Sequence, residues 1–162
     1  MPHLHITGLV IPKQHAVKLT GVLKTNDILV GELCAFESGF LVPATVFTWD
    51  TDEATTQLAF AAAFAGVSSG ASDKDLPLDT RDHRILMTQD GECELDVESA
   101  TYTVGQFLAP KKNAATNFLT NVLKVTAVRN AAIFIVSESS VGAATRVRGY
   151  MAKTLPKRAD TV

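Results

Sequence analysis

Cysteine is almost missing from this chain. Cys34 and Cys93 are the two, too few for a disulfide framework, and each lies inside a strand-like run. They are therefore expected as buried, reduced thiols, in keeping with synthesis in a cytosol. Long apolar runs are missing too. None approaches the roughly 18–20 residues that carry a helix across a bilayer, so no membrane partner is assigned. The start, Met1-Pro-His-Leu-His-Ile, lacks the basic-then-apolar layout of a signal peptide, and nothing points to secretion. Aromatic residues are sparse at 7%. Trp49 and Tyr102 have no basic companions beside them, so they read as core or interface anchors rather than base-stacking platforms.

Catalytic signatures are also lacking. Gly66-Val-Ser-Ser-Gly70 has the wrong spacing for a nucleophile elbow. Gly66, Gly70, Gly91 and Gly105 make no phosphate loop and read as turns or close backbone contacts. His3-X-His5 places two imidazoles on one strand face, but no third ligand stands near, and His15 and His83 are isolated. Asp73, Asp75, Asp79 and Asp82 lack the calcium-loop spacing and its closing glutamate, so they read as a solvated turn. No catalytic residue, cofactor site or metal site is assigned.

What is present is a chain of 162 residues, 46% hydrophobic and 20% charged, long enough for one domain with a real core. The net charge of −2 conceals a segregation. Residues 1–26 carry Lys13, Lys18 and Lys24 and no acid; 27–98 are strongly acidic; 99–158 are basic but for Glu138. An acidic middle with basic ends suits docking to a partner of mixed polarity. The same acidic middle, with a sequence pI near 6.1, argues against nucleic acid.

Strand-like runs recur at short intervals, at about 16–20, 28–36, 40–42, 65–69, 85–89, 92–97, 107–108, 122–128, 132–137 and 145–151. Turn residues divide them, and the pattern predicts an all-β protein, mainly an antiparallel sandwich or barrel. Asp90-Gly91 between two such runs predicts a tight hairpin. Gly105 marks a bend within 101–110. One segment differs: acids at Asp50, Asp52 and Glu53 precede an alanine-rich run, predicting one short helix over 52–63 that leads straight into a strand and plugs an end of the sheet. Residues 1–15 read as an N-terminal arm, 16–151 as a single β-rich domain and 152–162 as a C-terminal tail. The arm offers Leu4, Ile6, Leu9, Ile11 and Lys13 to a partner by strand addition. Glu92, Glu94, Asp96 and Glu98 alternate along one strand face, which implies a wet surface or a basic partner, and the first three join the arm as candidate contact residues.

The order of motifs resembles the capsid cement, or head-decoration, proteins of tailed bacteriophages. The likeness begins with Gly31-Glu-Leu-Cys-Ala-Phe-Glu-Ser-Gly-Phe-Leu-Val-Pro-Ala44, similar to a family hairpin ending in Leu-Val-Pro-Ala. It continues through the alanine-rich helix into Phe64-Ala-Gly-Val-Ser, then Ile85-Leu-Met-Thr-Gln-Asp-Gly-Glu-Cys-Glu-Leu-Asp96 and Ala100-Thr-Tyr-Thr-Val-Gly-Gln-Phe-Leu108. Strands at 121–128 and 145–150 close it. Gln106 stands where the family has an acid. The resemblance spans roughly residues 25–150 and implies a compact β-domain of the tulip type, without enzymatic activity. It further implies a structural virion protein, made in the host cytoplasm, that sits on the outer surface of the head, commonly as a homotrimer, and ties neighbouring major capsid protein subunits together. Small apolar residues at 54–65 and 141–144 fit self-association. Two other readings are a small ligand-binding or catalytic β-barrel, with the acidic clusters as its site, and a bacterial structural or adhesion protein.

Overall fold

The computed structural model describes residues 5–6, 14–18, 28–38, 40–69, 84–88 and 91–152, and at 5–6, 14–18 and 84–86 it describes the main chain alone. The protein is all-β with one short helix, built from two sheets. The first sheet contains β7 (Glu92–Ala100), β8 (Phe107–Lys112), β9 (Leu119–Val125), β10 (Phe134–Val136) and β11 (Ala144–Met151), in the order β7-β11-β10-β8-β9. It closes into a five-stranded barrel because β9 returns to β7 in a parallel pairing at Val97↔Leu123. A two-residue strand β1 (His5–Ile6) lies beside β7 at Glu94 and Cys93. The second sheet has the order β2-β6-β5-β3-β4, from β2 (Gln14–Lys18), β3 (Leu33–Glu37), β4 (Phe40–Pro43), β5 (Phe64–Ser68) and β6 (Arg84–Thr88).

Alternation explains β7: Cys93, Leu95 and Val97 are buried, while the acidic residues between them are half-exposed. β5 is buried at every position, so its small residues serve both faces of the second sheet. One face, with Leu33, Ala35, Val42, Phe64 and Val67, merges with the barrel interior into a single core. Phe47, Phe60, Phe64 and Phe134 run through that core with ring centroids 5.1, 5.9 and 6.1 Å apart in succession. The other face buries Cys34, Leu41, Ala65 and Met87 with Ile28 over them.

The helix α1 (Glu53–Ala63) runs into β5 with no intervening residue, as expected. Its cap is Asp52, whose carboxylate accepts from Thr55 N at 2.8 Å. That bond holds the Asp52 carboxyl below the usual carboxylate range.

Three expectations need correction. The runs around Asp90-Gly91 do not pair as a hairpin. Gly91 does take a positive φ of 108°, but β6 has β2 and β5 as neighbours, and β7 belongs to the barrel. The glycine carries the chain from one sheet to the other, and Asp90 lies outside the described residues. The run 28–36 is strand only from Leu33. Residues before it form a turn held by Ser68, whose hydroxyl donates to Leu29 O and accepts from Glu32 N at 3.0 Å, with Gly31 at φ 89°. Third, the arm boundary at 15 falls inside β2, and His5–Ile6 already pair within the chain.

Gly149 on β11 faces the barrel interior opposite Cys93. A Cβ there would meet Leu95 Cδ1 at 2.8 Å and the main-chain oxygen of Ile135 at 2.9 Å. A side chain can turn aside; a strand carbonyl cannot without breaking its ladder. Gly149→Ala should therefore destabilise the protein by about 1–3 kcal/mol, read as a lowered urea midpoint. An unchanged midpoint would show that β10 gives way freely.

Candidate functional site

Three groups of polar side chains stand out among the described residues. The first is the seam between helix and barrel. β10 covers β8 only at Phe107 and Leu108, where Ile133 N donates to Leu108 O at 2.9 Å. Farther along the same edge, Gln57 Nε2 donates to Pro110 O at 2.7 Å, and Glu53 Oε1 accepts from Lys112 N at 2.7 Å. The helix thus continues with side chains the ladder that β10 begins. Pro110 suits this edge because it has no N–H to satisfy. Glu53 also binds Lys124 Nζ at 2.8 Å. Burial opposes ionisation of Glu53, but Lys124 and the Lys112 N–H together outweigh it and hold the carboxyl below its ordinary value of 4.5. Lys112 lies over the Trp49 ring, 4.9 Å from its centroid.

The second place is the outer face of β7 and β11. Register sets Asp96 opposite Arg146, Glu94 opposite Arg148 and Glu92 opposite Tyr150. Arg146 Nε meets Asp96 at 3.1 Å, Ser137 Oγ donates to Glu92, and Lys111 meets Glu98 at 3.1 Å. Arg148 meets Glu138 at 3.5 Å. Two acids of the stripe thus find bases within the chain, Asp96 in Arg146 of β11 and Glu98 in Lys111 of β8.

The third place is a tip where the loop 101–106, between β7 and β8, meets the loop 137–143, between β10 and β11. Tyr102 N donates to Ser140 Oγ at 2.9 Å, Ser140 N donates to Tyr102 O at 3.0 Å, and Val104 N donates to Ser139 Oγ at 3.1 Å. Gly105 N and Val136 O close a further bond at 2.9 Å. Within the first loop, Gln106 Oε1 accepts from Thr103 N at 2.9 Å. Below the tip the Tyr102 ring is buried, and its hydroxyl donates to Glu98 O at 2.6 Å. Two valines stand out of this frame, Val104 at 60% exposure and Val141 at 105%. The sequence marks Gly105 as a bend, 139–142 as a turn and 141–144 as small and apolar, but the pairing of the two loops has no local signal.

Of the residues singled out from sequence, Glu92, Glu94 and Asp96 are brought together on β7, with Ile6 on the adjoining strand. Leu4, Leu9, Ile11 and Lys13 lie outside the described residues, as do His3, His83 and the acidic run Asp73 to Asp82. Among the described residues, no three His, Cys, Asp or Glu side chains gather as a metal site. Cys34 and Cys93 are buried and unpaired, in different clusters on the two sheets. Burial, then the nearby Glu92 charge, pushes the Cys93 thiol up to about 11, and burial with Glu32 pushes Cys34 well above the usual thiol range. Compared with family models and with curated proteins, the chain matches none.

Glu53→Ala should cost about 1–2 kcal/mol near neutral pH, a figure kept small because the side chain is 28% exposed. Since its folded pKa is depressed, this contribution is present above pH 4.5 and is lost as pH falls through the lower folded value. Melts of wild type and variant should converge in acid; a gap independent of pH would assign the loss to packing. Both thiols should resist a maleimide in the folded protein and react in guanidinium. Rapid labelling of either under native conditions would contradict its burial.

Proposed function

We propose that this protein is a structural component of a phage head that binds the outer surface of the shell and ties neighbouring major capsid subunits together, as a homotrimer. The observation that carries the reading is where the polar side chains are spent. Glu53, Gln57, Ser68, Asn121, Ser139 and Ser140 each bond to main chain, bracing loops and strand edges. They stiffen a scaffold instead of converging on a reacting group. The all-β architecture with one helix running into β5 is also the one that the resemblance implies.

The N-terminal arm supports the same reading. It is free of acids, so it suits an anionic neighbour, and its apolar residues alternate as a strand does. Its described part, β1, pairs with β7 at Glu94 and Cys93. The acidic stripe, matched by Arg146 and Lys111 within the chain, is the weaker docking surface.

The direct test is to mix the purified chain with heads assembled from the major capsid protein of the same phage and to sediment the mixture. Saturable binding to the outer surface supports the proposal, and no binding overturns it. Deleting residues 2–12 also removes β1, so the melting temperature should fall only slightly while attachment weakens at least tenfold, or about 1.4 kcal/mol. If the truncated chain binds heads as well as the full one, the arm is not the anchor. Sedimentation equilibrium checks the trimer; stable dimers with and without heads would refute it.

A further inference from the structure

The tip formed by the loops 101–106 and 137–143 combines features that a solvent-facing loop seldom has together. Its apex carries two exposed aliphatic residues, Val104 and Val141. From 101 to 106 and from 139 to 144 it has no charged residue, in a chain where one residue in five is charged, and Glu138 at the base of the second loop pairs with Arg148. Gly105 and Gly142 take φ values of 89° and 79° with open space where a Cβ would stand, so no neighbouring group covers the apex. The interloop hydrogen bonds hold it in one shape, so a partner meets a surface already ordered and little conformational entropy is lost on contact.

Its position matters as much as its chemistry. The arm pairs with β7 at Cys93 and Glu94, and the tip opens after Ala100 at the other end of the same strand. Six residues of extended chain separate the two, about 20 Å. A bridging protein needs two separated contacts, and this one has the described part of its acid-free arm at one end of β7 and an uncharged apolar apex at the other.

We infer that the Val104–Val141 tip is a second docking point, seated in a shallow, uncharged apolar recess of the repeating shell subunit. This rests on the cement function proposed above. Size selects the occupant. Two valines and their small neighbours fall well short of the roughly 800 Å² per partner that a stable free complex buries. A second copy of this chain meeting it at the tip alone would bury too little to stay. A shell presents identical recesses to a molecule already tethered by its arm, so a weak contact gains from effective concentration.

Val104→Ser and Val141→Ser test this separately, since neither side chain serves the bonds that hold the loops. Each is measured for head binding by co-sedimentation, for melting temperature, and for oligomeric state by sedimentation equilibrium. The expected result is at least a tenfold loss of head affinity for each variant, with melting temperature and oligomeric state as in wild type. Undiminished binding by both variants overturns the inference and leaves the cement function standing. Loss of the oligomer in either variant also overturns it, by assigning the tip to self-association. Failure of the wild type to bind heads removes the function on which the inference rests.

Discussion

An incomplete strand ladder organises this molecule. β10 is three residues long and leaves the edge of β8 unpartnered beyond Leu108. A buried carbonyl or amide without a partner costs about 1–3 kcal/mol, so something must cover Pro110 O and Lys112 N. Helix α1 does so through Gln57 and Glu53, and that requirement fixes its place and its rotation. Once the helix lies there, Phe60 and Ala61 face the core and Phe64 enters the second sheet already aligned with the barrel interior. The junction between the two sheets follows. Asn121 on β9 accepts from Leu33 N on β3 at 3.0 Å and ties the same two layers a second time.

The charge segregation along the chain takes on a structural meaning. Glu53–Lys124, Glu98–Lys111 and Asp96–Arg146 each join an acid from the acidic middle to a base from the basic C-terminal part. Partly exposed pairs of this kind contribute little one at a time. They do not set the register by themselves, because acids recur at every second residue of β7: β11 slid by two residues would set Arg148 opposite Asp96 and Arg146 opposite Glu98, again base to acid.

What the sequence made legible divides along physical lines. The helix was legible because its cap acids and alanine-rich body are local signals, and so was the alternation of β7, whose buried face is written in every second residue. The Asp-Gly signal predicts a hairpin that does not form, because a turn dipeptide carries no information on whether the next strand pairs back or crosses to another sheet. Glu53 was legible as a helix-start acid, yet its partner Lys124 lies seventy-one residues away, out of reach of any spacing rule. Arg146 and Arg148 were likewise invisible as partners of the acidic stripe until the register of β11 was known. The tip was missed for the same reason: Ser139 and Ser140 find Val104 and Tyr102 only through the closed barrel.

β7 reaches from the change of sheet at Gly91 to the tip, and β11 lies against it from Glu92↔Tyr150 to Ala100↔Ala144. The hydrogen bonds between two antiparallel strands run across them. A pull applied at the tip along β7 therefore loads that ladder in shear, with many bonds stretched at once, whereas a pull across the strands would open them one by one. Tension between the two ends of β7 meets the fold in its stiff direction, and a peeling force at the free edge of β4 meets it in its soft one.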